Sequence, residues 1–228
     1  MLFYDPTYFL VLIGFLLASF ASMGVQSAFN KYSKVKSIRH YTGKDAARKI
    51  LDENGLYNIR VENISGNLTD HFDPSANVIR LSDSTYNSDS VAAIGVAAHE
   101  AGHAVQHAVG YTPIRIRNSI VPAVNLCSTL AMPLFIIGLL LGMVNLANVG
   151  IILFSAALVF QLVTLPVEFD ASRRAIKILD SSAMLDEDEL SGAKKVLRAA
   201  AMTYVAAVLA SALQILRLVL LSNSRRRD

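Results

Sequence analysis

His99, Glu100 and His103 fall in one short run, His99-Glu100-Ala101-Gly102-His103, whose residue types and spacing can do hydrolytic chemistry. Residues four apart share a face of an α-helix, so two imidazoles at this spacing converge on a single ion. Glu100 lies beside them as a carboxylate able to accept a proton from a water that the ion activates. Zinc lowers the pKa of such a water to about 7, and as a Lewis acid it polarises a scissile carbonyl. The same pattern also arises by chance on helices where it does nothing. Here, however, the flanks are apolar, Val91 to Ala98 before and Ala104-Val105 after. Two histidines and a glutamate on a helix built for burial are costly unless something satisfies them. The single cysteine, Cys127, excludes an intramolecular disulfide and a Cys-based metal site, which leaves histidines and carboxylates as ligands.

Catalytic zinc sites usually have three protein ligands and an open position. His107 is the nearest further histidine, but positions i and i+8 of one helix lie about 12 Å apart along its axis. Zinc–nitrogen bonds of about 2 Å cannot close that gap, so His107 reads as a supporting or surface residue. The metzincin pattern fails as well, since Gln106 and Val109 stand where it needs Gly and His. Glu168, in Val167-Glu168-Phe169-Asp170-Ala171-Ser172-Arg173-Arg174, is the better candidate, and Asp170 is its competitor. The alternative role for Glu168 is a membrane-boundary carboxylate paired with Arg173 or Arg174. Between His103 and Glu168 the chain crosses the membrane twice, so both residues end on the same side.

The elements that must position these residues follow from the apolar runs. Of the 228 residues 53% are hydrophobic and only 17% charged, where a soluble domain has about a quarter charged. Tyr8 to Phe29, Ile120 to Val144, Val149 to Pro166 and Ala199 to Leu221 are each apolar and near the roughly 20 residues that span a bilayer as a helix. The first reads as a retained anchor rather than a signal peptide, because Met1 to Thr7 contain no Lys or Arg. The second and third are separated only by Asn145-Leu146-Ala147-Asn148, which predicts a tight helical hairpin with its turn there. Gln214 and Arg217 interrupt the fourth, which leaves open whether it crosses fully.

The polar segment between the first two spans carries several local signals. Thr42 to Asn54 predicts a short helix capped by Thr42 and stopped by Gly55. Ile59 to Ile64 alternates like a strand, and Leu68 to Phe72 with Asn77 to Leu81 flank a turn at Asp73-Pro74-Ser75-Ala76. Ser90 to Val109 predicts the helix that bears the motif, with Asp89 as its cap and Gly110 at its end. Asp186 and Glu189 have capping-box spacing before a helix that leads into the fourth span. The chain thus divides into an anchor (1–29), a zincin-like catalytic region (30–119), a transmembrane hairpin (120–166), a third-ligand and connecting segment (167–198) and a C-terminal membrane segment with a basic tail (199–228). The expected fold is a mainly helical membrane protein of about four transmembrane helices, with a small β-hairpin or sheet beside the motif helix.

All but four of the 21 basic residues lie in 30–119 and 167–198; the others are Arg217 and Arg225-Arg226-Arg227. The positive-inside rule puts the first two segments in the cytoplasm, and with them the site. Four full crossings would leave the basic tail outside, against the same rule. A net charge of +3 points to topology rather than to nucleic acid.

With these residues in hand, the chain resembles the YugP-type neutral zinc metallopeptidases, a family of bacterial membrane proteins. The likeness runs over nearly the whole chain and is sharpest in Leu68 to Pro74, Ser90 to Gln106 and Val167 to Ala175. More distantly it is similar to membrane proteases of the HtpX and CAAX-processing type. The resemblance implies a peptidase with zinc bound by His99, His103 and Glu168, Glu100 as base, and peptides or proteins, membrane proteins among them, as substrates. In the distant relatives the third-ligand motif ends in an aspartate; Ser172 stands there, so its supporting role passes to Asp170 or is dispensable. Those relatives also bind substrate along an edge strand, which Asn77 to Leu81 would supply here. His71, Tyr86 and Arg174 are the candidates to stabilise an oxyanion. Two rivals remain at this stage. A site-two type intramembrane protease needs Leu-Asp-Gly where this chain has Leu179-Asp180-Ser181, and a non-catalytic zinc-binding scaffold would typically have lost the base or a ligand.

Overall fold

The computed structural model describes residues 6–224. In chain order the elements are α1 (Tyr8–Tyr32), α2 (Gly43–Glu53), β1 (Arg60–Ile64), β2 (His71–Asp73), β3 (Val78–Ser82), α3 (Val91–Ala108), α4 (Thr112–Leu140), α5 (Val144–Ser181) and α6 (Glu187–Ser224). Helices α1, α4, α5 and α6 are long and apolar enough to cross a membrane. The basic tail Arg225 to Arg227 lies outside the described residues.

The chain separates into two units. The first takes the start of α1 up to Ser22, residues Ile116–Leu165 and the chain from Met202 onward. Within it α4 and α5 meet through small residues: a Cβ on Gly150 would lie 2.6 Å from the backbone nitrogen of Phe135, and one on Gly138 would collide with Ala147. Close backbone approach of this kind is how helices associate where no hydrophobic driving force separates them from lipid. The turn between α4 and α5 is Leu141-Gly142-Met143, not Asn145 to Asn148 as the apolar runs suggest. Gly142 has φ +67°, and Met143 N–H bonds Gly138 C=O at 2.8 Å, closing α4 in a Schellman motif. Hydropathy alone cannot find a turn made inside an apolar run, and the two asparagines fall in the first turn and a half of α5. Helix α6 continues through Gln214 and Arg217, and the Arg217 guanidinium lies 4.2 Å from the centre of the Tyr8 ring.

The second unit comprises Met23–Arg115 and Pro166–Ala201, and holds the motif helix. Thr42 caps α2 as expected, in a full capping box with Asp45. Helix α3 is capped by Ser90, whose Oγ accepts from Ala93 N–H at 3.2 Å, rather than by Asp89. Asp89 instead takes Lys36 at 3.4 Å, and its carbonyl takes Ser37 N–H. Asp186 and Glu189 form the reciprocal pair that starts α6. Strands β2 and β3 form the expected hairpin, but β1 pairs with β3 in parallel, giving the order β1-β3-β2. Strand β3 is therefore central, with Val78, Ile79, Leu81 and Ser82 buried. Its apolar side chains join Ile50 and Leu51 of α2, Ile94 and Ala97 of α3, Leu179 of α5 and Leu197 of α6 in one core.

Candidate metal centre

Helix α3 carries the motif on its buried side, with Ala101, Gly102, Ala104 and Gln106 all buried. The two unconstrained motif positions are filled by the smallest side chains, and the reason lies in α5. A Cβ on Gly102 would lie 2.7 Å from the carbonyl oxygen of Ala171. With only hydrogen there, the two backbones come close enough for a side chain one turn earlier on α5 to reach the histidines. That side chain is Glu168, 2% exposed.

His99 Nε2 lies 3.3 Å and His103 Nε2 3.5 Å from Glu168 Oε2. One donor atom from each of the three residues falls within 4.8 Å of the others. Four ligands at tetrahedral angles on a zinc ion, with bonds of about 2.0–2.1 Å, sit roughly 3.3–3.4 Å apart, so the two distances to Glu168 Oε2 match an ion shared by all three. Each imidazole also has its other nitrogen engaged. His99 Nδ1 faces Ser172 Oγ at 3.1 Å, and His103 Nδ1 faces Gln106 Oε1 at 3.0 Å. With both Nδ1–H groups donating, both Nε2 lone pairs point to the same place, as a metal-binding histidine pair requires.

Gln106 does more than orient one ring. Its Nε2 donates to Val167 C=O at 2.8 Å and to Asp170 Oδ2 at 2.9 Å, on either side of Glu168 along α5. Arg174 holds the same Asp170 oxygen at 2.6 Å and lies over the Tyr111 ring. Burial works against the charged form of Asp170, but Arg174 and Gln106 outweigh it and hold the carboxyl below its usual range. It stays an acceptor. Burial likewise disfavours a charged His103, yet Glu168 and Glu100 around it prevail and raise the imidazole above its ordinary value. A cation at the ring's Nε2 would take the place of that proton.

Glu100 is buried to 9% exposure, and among the described residues it has no hydrogen bond or ion pair. Its carboxylate is uncommitted. Asp170, the rival for third ligand, belongs to the supporting network instead, and His107 is exposed and packs its ring on Phe72. Of the oxyanion candidates, His71 bonds Thr69 C=O at 2.8 Å and Arg174 is committed to Asp170. Tyr86 packs against the core with Lys44 over its ring. Asp180, of the Leu-Asp-Ser sequence, is exposed, and α3 is not among the four membrane-length helices. The edge strand next to α3 is β2, not Asn77 to Leu81, because β1 covers the other side of β3.

Gln106 is the site residue that sequence reading passes over, since it enters only as a mismatch to the metzincin pattern. Its place three residues after His103, on the same helix face, is the one local signal. Gln106→Leu leaves the His103 Nδ1, Val167 C=O and Asp170 groups without their partner. Zinc affinity is expected to fall about 10- to 100-fold, measured by competition with a chromogenic chelator. Unchanged affinity would mean that α3 alone orients His103.

Residues 7–223 match the family described as "Putative neutral zinc metallopeptidase". The "Putative membrane protease YugP" of Bacillus subtilis (strain 168) is 50% identical over 220 residues, covering 96% of this chain and 98% of that protein. No solved structure matches significantly.

Proposed function

Given that the chain belongs to this family of neutral zinc metallopeptidases, we propose that it is a membrane-anchored endopeptidase whose zinc is held by His99, His103 and Glu168. The convergence of two Nε2 atoms and one carboxylate oxygen, with both Nδ1 atoms engaged elsewhere, is the observation that carries this reading. Zinc, when bound, lowers the pKa of an attacking water to about 7 and polarises the scissile carbonyl. Glu100, adjacent to His99 and uncommitted, takes the proton from that water and returns it to the leaving amine. Ser172 and Gln106 engage the two imidazoles at Nδ1, fixing their orientation so that both Nε2 atoms face the same place. The Gln106–Asp170–Arg174 network holds the turn of α5 that bears Glu168.

Substrate enters as an extended segment along the free edge of β2, His71 to Asp73, whose Phe72 touches His107 of the motif helix. Strand addition engages main-chain groups, so it accepts the middle of a chain and not only its end. The site lies on the cytoplasmic face, because the basic residues concentrate in the segments that carry it. Glu168 follows Pro166, the end of the apolar run of α5, by two residues, about 3 Å of helix rise. Cleavage therefore occurs close to the membrane surface, within reach of juxtamembrane and membrane-protein segments.

Purified full-length protein in mild detergent is expected to cut internal bonds in a pool of unstructured peptides, to stop on treatment with a chelator and to recover with zinc. Cleavage that survives complete metal removal contradicts the proposal. A zinc-loaded protein that cuts nothing in the pool would favour the scaffold instead.

A further inference from the structure

A second feature of the unit that holds the metal centre has no part in the chemistry above. Helix α5 contributes positions 169, 172, 173 and 176 to one groove wall, and α6 contributes 194, 197, 198 and 201 to the other. Both sets follow the i, i+3, i+4, i+7 spacing of a single helix face, so the groove is a seam between two facing stripes. Its volume is about 360 Å³, within the range of sites that take a small amphiphile. Phe169, Ile176 and Leu197 give it an apolar lining, and Arg173, Lys194 and Arg198 stand at its edges. None of these three cations has an ion pair or hydrogen bond among the described residues, whereas their neighbour Arg174 is held by Asp170 at 2.6 Å. Three positive charges around one apolar seam, with only Arg173 feeling a nearby carboxylate, that of Asp170, repel each other, and an anion with an apolar body relieves both problems.

The order of residues along the helices says where that anion comes from. On α5 the apolar run ends at Pro166; Phe169 comes next in the groove and Arg173 one turn further out. On α6 Lys194 and Arg198 come first and Ala201 follows, just inside the apolar run that starts at Ala199. On each helix one apolar residue of the groove, Phe169 or Ala201, lies nearest the apolar run and the cations lie further from it; Ile176 lies beyond Arg173, and Leu197 lies beside Arg198. An anionic glycerophospholipid has the matching order, acyl chain then phosphate. Clustered Lys and Arg at the end of a membrane helix are a recognised basis for binding such headgroups.

We propose that the α5–α6 groove is a binding site for one anionic phospholipid of the surrounding bilayer, with its phosphate on Arg173, Lys194 and Arg198 and its proximal acyl chain on Phe169 and Ala201. This does not depend on the peptidase reading. Ser172 nevertheless belongs both to the groove wall and to the hydrogen bond on His99 Nδ1, so the bound lipid is in contact with a residue that orients a metal ligand.

The test titrates the purified full chain, in a neutral detergent, with dioleoyl-phosphatidylglycerol or dioleoyl-phosphatidylcholine, and counts bound lipid by native mass spectrometry. Wild type is expected to prefer the anionic lipid by about tenfold or more, from roughly three charge contacts. Arg173→Gln/Lys194→Gln/Arg198→Gln is expected to abolish the preference while keeping the wild-type thermal melting temperature, which reports that the unit is folded. Lys34→Gln/Arg39→Gln/Lys195→Gln, the same charge change at exposed residues outside the groove, is expected to keep it. Glycerophosphoglycerol, the headgroup without acyl chains, is expected not to displace the lipid. The proposal is overturned if wild type shows no preference, if the groove variant retains it, or if both triple variants lose it equally. Full displacement by the free headgroup would also overturn it, since the site would then be one for a soluble anion.

Discussion

Glu100→Gln is expected to lower peptide hydrolysis by about 10²- to 10⁴-fold, the contribution of a positioned general base, while zinc stays at one per chain. The amide keeps the shape of the carboxylate but cannot accept the proton from the attacking water. Glu100 is not among the donor atoms that converge on the candidate site, so metal content has no reason to fall. The measurement pairs kcat/KM on an internally quenched peptide with zinc determined on the same sample. A variant that loses both together would make Glu100 a ligand or a structural residue rather than the base. One that keeps wild-type turnover would move the base elsewhere.

Glu168→Ala has the opposite expected signature. It removes the one anionic donor in the cluster, so zinc affinity is expected to fall by more than the roughly 10- to 100-fold that a lost supporting contact costs. Hydrolysis falls with zinc occupancy and is partly recovered by excess zinc. Asp170→Asn provides the comparison. Asp170 touches Gln106 and Arg174 rather than the histidine Nε2 atoms, so its loss is expected to weaken zinc only within that 10- to 100-fold range. If Asp170→Asn released zinc and Glu168→Ala retained it, the two carboxylates would have to exchange roles. Chelator competition on both variants separates the cases.

The parts of this molecule legible in the sequence are those written in local spacing. The motif histidines are four apart on a helix with marked ends, and the four membrane-length helices follow from apolar runs, the last of them broken only by Gln214 and Arg217. Glu168, which joins the two histidines in one cluster, is reachable through the expectation that two apolar runs separate it from His103. What stayed hidden depends on partners distant in sequence. Ser172 and His99 are 73 residues apart, and Gln106 and Val167 are 61 apart. Neither pair has a periodicity to betray it. The turn at Asp73 to Ala76 announces a hairpin strand at Asn77 to Leu81 but not its other neighbour, and parallel pairing with β1 makes that strand central where an edge was expected. The turn at Gly142 lies within an apolar run, where a positive φ and a close helix contact decide the break and composition does not.

Ser172 also answers a question that the sequence raises. It stands where the resemblance to HtpX-type proteases implies an aspartate, and it supplies an oxygen to His99 Nδ1 as a neutral hydroxyl. The anionic support goes to the other ring, through Gln106 to Asp170 and Arg174. Second partners of this kind fix ring orientation and raise ligand basicity. One ring is thus supported by a neutral hydroxyl and the other by a charged relay.

The most direct test of the central claim is X-ray absorption at the zinc edge on the purified full-length protein. Nitrogen and oxygen neighbours at about 2.0–2.2 Å are expected, with the outer scattering of two imidazoles and no sulfur at about 2.3 Å. A sulfur neighbour from Cys127, or imidazole scattering from one ring or from three, would contradict a site made of His99, His103 and Glu168.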